Sequence, residues 1–165
     1  MKSSRRHDSL IPLSREHQYA LLLCLRINRG LPVHKEDMSW LQTKAEMVIQ
    51  FFEGDLTTHF MAEEEVLFPA MRNFSGATEL ISELSIDHRK LEALVSQLHR
   101  IEPELIAATL KDFAGLLESH IRKEERMLFP IYEQQASIEI AQAVGQGVSH
   151  LIGQALHPRN PELIK

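Results

Sequence analysis

Two stretches of the chain repeat a pattern of metal-binding residue types. Residues 59–69 read HFMAEEEVLFP and residues 120–130 read HIRKEERMLFP. Both give His, three residues, Glu-Glu, two residues, then Leu-Phe-Pro, at a constant offset of 61. A lone histidine precedes each copy: SREH ends at His17 and SIDH ends at His88. Residues four apart on a helix share a face, about one turn apart, so His59 points with Glu63 and His120 with Glu124. Flanking apolar residues place each pair within a core-facing stripe: Phe52, Leu56, Val66 and Leu67 in the first copy, Phe113, Leu117, Met127 and Leu128 in the second. His17 shares its stripe with Leu13, Leu21 and Cys24, and His88 shares one with Ile81, Leu84, Leu91 and Val95.

A lone buried carboxylate would raise its pKa until it took up a proton. Two carboxylates flanked by four imidazoles have another solution, a cation that accepts their lone pairs. Four nitrogens and two carboxylates exceed the four ligands of a closed zinc site. They suit two ions, each held by two histidines and bridged by both glutamates, with positions left for an oxo or hydroxo bridge and an outside ligand. Imidazole with carboxylate suits iron; ligand type alone leaves zinc, copper or another divalent metal open.

The elements that must position these residues are helices. Apolar residues recur at three and four, and no long stretch alternates in twos. The periodicity predicts helices over about 13–28, ending near Gly30-Leu31-Pro32; 36–71, ended or kinked by Pro69; 78–100; and 103–135, with Pro103 at its first position. A shorter amphipathic segment follows over about 138–156, a poor isolated helix because it holds three glycines. Short links imply an all-α, up-down-up-down four-helix bundle with an additional C-terminal helix. Residues 1–11 are expected as a flexible tail, 12–157 as a single domain and 158–165 as a second tail.

The chain has 165 residues, 44% hydrophobic and 25% charged, with a net charge of −5, which supports neither a nucleic-acid nor an anionic-membrane partner. Its single cysteine, Cys24, allows no internal disulfide and is expected in core packing. No secretory signal or membrane span is evident, so a cytoplasmic location is expected.

Over about Pro12 to Tyr132 the doubled motif resembles the hemerythrin-like (HHE cation-binding) family. The resemblance implies a non-haem di-iron centre in a four-helix bundle, with ligands His17, His59, Glu63, His88, His120 and Glu124, and with Glu63 and Glu124 as bridges. It also implies a carrier, sensor or scavenger of O2 or NO. Oxygen-carrying hemerythrins have a fifth histidine and an aspartate bridge, whereas four residues either side of His88 stand Leu84 and Glu92. The set of four His and two Glu is more similar to that of repair-of-iron-centres proteins, which respond to nitric oxide and oxidative stress. Those carry an N-terminal cysteine pair that this sequence lacks. A di-iron redox or iron-centre repair enzyme, and an iron-handling or structural metal protein, stay open as alternatives.

Around the six, Glu64, Glu65 and Glu125 are expected to be solvated or salt-bridged. Asp87 and Asp55 could orient a histidine, and Glu92 could serve as an extra ligand or an acceptor behind one. Phe52 and Phe113 are expected to wall the metal pocket, and Met47, Met61, Met71 and Met127 to fill gaps in the bundle.

Overall fold

A computed structural model describes residues 6–100 and 102–153. Helix α1 spans Ile11–His34. Helix α2 begins at Met38, behind an Asp37 cap whose carboxylate accepts the Trp40 N–H at 3.1 Å, and runs unbroken through residue 71. A turn with Gly76 at φ +81° reverses the chain into α3, Thr78–Leu98. Helix α4 covers residues 103–135, opening with a short 3-10 turn, Pro103–Leu105. The Ser137 hydroxyl accepts the Ile140 N–H at the start of α5, Ile138–Gly153. Helix α4 lies along both α1 and α3, and α5 crosses the middle of α2 and the N-terminal segment. This is the expected all-α bundle with a fifth helix.

The interior falls into two apolar clusters. One gathers Leu23, Ile27, Val48, Leu91, Leu98, Leu110 and Phe113; the other gathers Leu13, Leu67, Met71, Leu84, Leu128, Phe129 and Tyr132. On α1 and α3 the histidine falls between the residues of one cluster and those of the other; on α2 and α4 the change comes just after it, beyond Phe60 and Ile121. The polar residues therefore form a buried layer across the bundle.

The prolines of both Leu-Phe-Pro runs stay inside their helices. Just before each one the helix widens into a single π turn, over Glu63–Leu67 and Glu124–Leu128. The Phe68 N–H reaches back to the Glu63 carbonyl, and the Phe129 N–H to the Glu124 carbonyl. A π turn already leaves one carbonyl without its usual partner, so a residue with no N–H fits there. The same turn corrects the helix phase. Residues 59, 63, 67 and 71, and likewise 120, 124, 128 and 132, are all buried at steps of four. At 3.6 residues per turn such steps drift about 40° each, and the wider turn takes up the excess. That rotation also carries Met127 out to solvent, against the expected stripe; Met61, expected to fill a gap in the bundle, is exposed too. A further π turn, Phe52–Leu56, has no counterpart in α4.

Other boundaries differ from the sequence pattern. Helix α1 does not stop at Gly30-Leu31-Pro32: Pro32 lies in its last turn, where it forgoes one backbone bond. Gly30 instead gives room to the Trp40 indole, since a Cβ there would lie 2.1 Å from its Cζ2. In α5, Gly147 faces Val66, with a virtual Cβ 2.8 Å from Cγ1, and Gly145 faces Ser9 at 3.3 Å. Two of the glycines that weaken this helix in isolation let it pack closely here. Residues 6–11, expected in a flexible tail, are packed: Leu10 is fully buried, Asp8–Leu10 forms a 3-10 turn, and Ser9 Oγ meets the Tyr132 hydroxyl at 2.9 Å. Residues 1–5 and 154–165, including the expected C-terminal tail, lie outside the described residues.

Candidate metal centre

All six residues singled out by the repeat meet in the polar layer, and each is at most 3% exposed. They form two groups that share both glutamates: His17, His59, Glu63 and Glu124, and His88, His120, Glu63 and Glu124. Within each group the candidate ligand atoms lie within 4.8 Å of one another. Glu63 Oε1 stands 3.0 Å from His59 Nε2, and its Oε2 stands 3.2 Å from His88 Nε2. Glu124 Oε2 lies 3.1 Å from His17 Nε2 and 3.5 Å from His120 Nε2. Each glutamate thus spans both pairs.

The outer face of each ring meets a carboxylate. His17 Nδ1 lies 2.7 Å from Glu125, His59 Nδ1 2.7 Å from Glu16, and His88 Nδ1 2.7 Å from Glu64. His120 Nδ1 is 3.8 Å from Asp87. The pattern follows the repeat: the glutamate after each bridging residue serves the lone histidine of the other half. The acidic residue before each lone histidine faces the histidine of the His-x-x-x-Glu motif in its own half, Glu16 within hydrogen-bond reach and Asp87 beyond it. An Nδ1–H donated to a carboxylate leaves Nε2 as a lone-pair donor aimed inward. The sequence signal for Glu16, Glu64 and Glu125 was present in SREH, SIDH and the doubled Glu-Glu, but acidic residues there read equally as solvated surface. Glu92 is exposed beside Arg89 and is not among the grouped residues.

The walls are Phe60, Phe68 and Phe129. Phe129 stacks on His17 with centroids 5.6 Å apart, and Phe68 on His88 at 5.9 Å, so the Phe of each Leu-Phe-Pro covers a lone histidine. Phe60 stacks on His88 at 3.8 Å and meets His120 edge-on. Phe113, expected here, is buried in one apolar cluster, and Phe52 is half-buried against Phe60. Arg6 lies over the Phe129 ring and bonds Glu125 and Glu133; Arg89 bonds Glu64.

Burial would push the Glu63 carboxyl up, but the His59 and His88 rings hold it well below the usual carboxylate range. Burial would likewise pull His59 down, yet the Glu63 and Glu16 carboxylates set it well above the ordinary imidazole value. His17 and His88 are raised in the same way, against burial, by Glu124 with Glu125 and by Glu63 with Glu64 respectively. Hydrogen bonds from His17 and Ser14 bring Glu125 to about 2 despite its burial.

The donor set fits metal ions. All four carboxylate oxygens of Glu63 and Glu124 are buried without a hydrogen-bond partner. Native proteins rarely tolerate such atoms unless something further satisfies them. The Nε2 atoms of His17 and His59 face each other at 3.0 Å, and those of His88 and His120 at 3.2 Å. Lone pairs do not approach so closely unless a proton or a metal ion lies between them.

A helical bundle with this buried His/Glu layer is a metal-binding protein. A family model for the hemerythrin HHE cation-binding domain matches residues 12–137, and the chain belongs to that family. It is also similar to a DNA nickase of Nostoc sp. (strain PCC 7120), 36% identical over 89 residues. That match covers 52% of this chain and 24% of the nickase, so the chain spans about a quarter of that relative's length. No solved structure matches the chain. Among the described residues, no helix is long and apolar enough to cross a membrane.

Proposed function

We propose that the centre holds two non-haem iron ions and takes up a diatomic ligand, O2 or NO, as a carrier, sensor or scavenger. His17 and His59 would hold one ion, His88 and His120 the other, and Glu63 and Glu124 would bridge them. The observation that carries this reading is the sharing of four unpartnered carboxylate oxygens between two facing pairs of histidines. Iron bound there would supply a coordination position open to a small ligand and a reversible change of oxidation state. The chain's own part is to prepare the site. Glu16, Glu64 and Glu125 fix the ring orientations, and Phe60, Phe68 and Phe129 keep bulk water away from the imidazoles. Iron also suits the mixture of imidazole and carboxylate.

The nickase likeness supports no second reading, since it covers a quarter of that protein and the net charge of −5 offers no excess of cations to a phosphate backbone. The test is optical. Protein loaded with ferrous iron without air should change its visible absorption when O2 or NO is admitted. An unchanged spectrum with two irons bound would remove the gas-binding function.

A further inference from the structure

The two halves of the centre are built on one repeat but differ in one place. In the first half Glu16 closes on His59 Nδ1 at 2.7 Å. In the second the equivalent residue is Asp87, one methylene shorter, and it stops 3.8 Å from His120 Nδ1, too far for a hydrogen bond. Lys123 holds the same carboxylate: its Nζ lies 2.8 Å from Asp87 Oδ2, the oxygen facing His120, and 3.6 Å from Glu83. At the offset of 61 the first half carries Ala62, fully buried, in place of that lysine. His120 Nδ1 is left buried with no hydrogen-bond partner, the only imidazole nitrogen of the four described rings in that condition.

The surroundings of the two lone histidines differ as well. His17 is covered by Phe129 with Arg6 stacked beyond it. His88, covered by Phe60 and Phe68, also borders a cleft of about 180 Å³, with Met61, Glu64, Arg89 and Glu92 among its walls.

We propose that the two metal positions are unequal, and that Lys123 makes the His88/His120 position the weaker and more exchangeable one by withholding Asp87 from His120. This rests on the two-ion reading above. A ring whose outer nitrogen is bonded to a carboxylate is fixed in one orientation and is the more basic ligand; a ring without that bond is neither. Lys123 is therefore a positioning residue, acting through Asp87 on His120.

The test is a titration of the metal-free chain with Co2+, followed by calorimetry and visible absorption. The wild type should bind two ions in steps separated by about tenfold or more in affinity, as loss of a supporting carboxylate costs other metal sites about 10–100-fold. Lys123→Met should free Asp87 and narrow the gap by tightening the weaker step alone. Asp87→Glu, which restores the missing methylene, should act in the same direction. Glu16→Gln should loosen the tighter step instead. Two ions bound with a single affinity, or a weaker step unmoved by both Lys123→Met and Asp87→Glu, would overturn the inference while leaving the two-ion reading intact. Fewer than two ions bound at saturation would overturn that reading and this inference with it.

Discussion

His17 and His59 meet Nε2 to Nε2 at 3.0 Å, while the outer nitrogen of each ring is committed to a carboxylate, Glu125 for one and Glu16 for the other. Helices α1 and α2 thus bring two lone-pair donors together in an apolar interior. The Nε2 atoms of His88 and His120, on α3 and α4, meet likewise at 3.2 Å, but there only His88 is bonded to an outer carboxylate, Glu64. Charge compensation by a cation is the physical idea that makes this layer intelligible.

Protons and metal compete for that layer. His17, His59 and His88 all have raised pKa values, so at neutral pH the metal-free centre holds protons that a metal must displace. Loading should release protons, and apparent metal affinity should rise as pH rises through the raised histidine range. Calorimetric titrations in buffers of different ionisation enthalpy check this; an affinity independent of pH between 6 and 8 (roughly the ordinary histidine range) would contradict it.

The consecutive glutamates 63, 64 and 65, and 124 and 125, have separate roles. Glu125→Ala removes the acceptor behind His17 and should lower metal affinity about 10–100-fold. Glu65 is exposed, and Glu65→Ala should leave affinity unchanged. Equal effects from the two substitutions would show that the outer carboxylates do not orient the rings.

Two glycines in helices should respond to alanine with opposite signs. At Gly115 nothing lies within 4 Å of an added Cβ, so Gly115→Ala should stabilise the fold by about 0.5–1 kcal/mol through helix propensity. At Gly30 the Cβ would collide with the rigid Trp40 indole, so Gly30→Ala should destabilise by about 1–3 kcal/mol. Urea denaturation of both variants measures the difference.

Cys24 is 1% exposed, and burial, reinforced by Glu118, raises its thiol to about 12. It should resist thiol reagents at pH 8 in the native chain and react at once after denaturation. An unfolded thiol ionises near pH ~8.5. The stability linked to this group is therefore complete below that pH and is lost as pH rises toward about 12. Rapid native-state labelling would show the thiol is not enclosed.

The bundle and the six central residues were legible because they obey periodicities that a sequence displays directly: a 3.6-residue apolar stripe, a four-residue His/Glu step and a 61-residue offset. What a straight-helix picture hides is the change of phase at each π turn, which keeps Pro69 and Pro130 helical and turns Met127 outward. Pairings across helices were hidden too. Phe68 on His88 and Glu16 on His59 become visible only when the helices are placed side by side, although each partner sits at a repeated position. The glycines of α5 read as a weakness in the chain alone and as close contacts once Val66 and Ser9 face them.

Metal stoichiometry decides whether cations sit between these histidines and glutamates. Elemental analysis of the chain after anaerobic loading with ferrous iron should give two ions per chain. His59→Ala and His120→Ala should each give fewer, with helical content by circular dichroism largely retained. A chain that binds no metal, or a stoichiometry unchanged in both variants, would contradict the account.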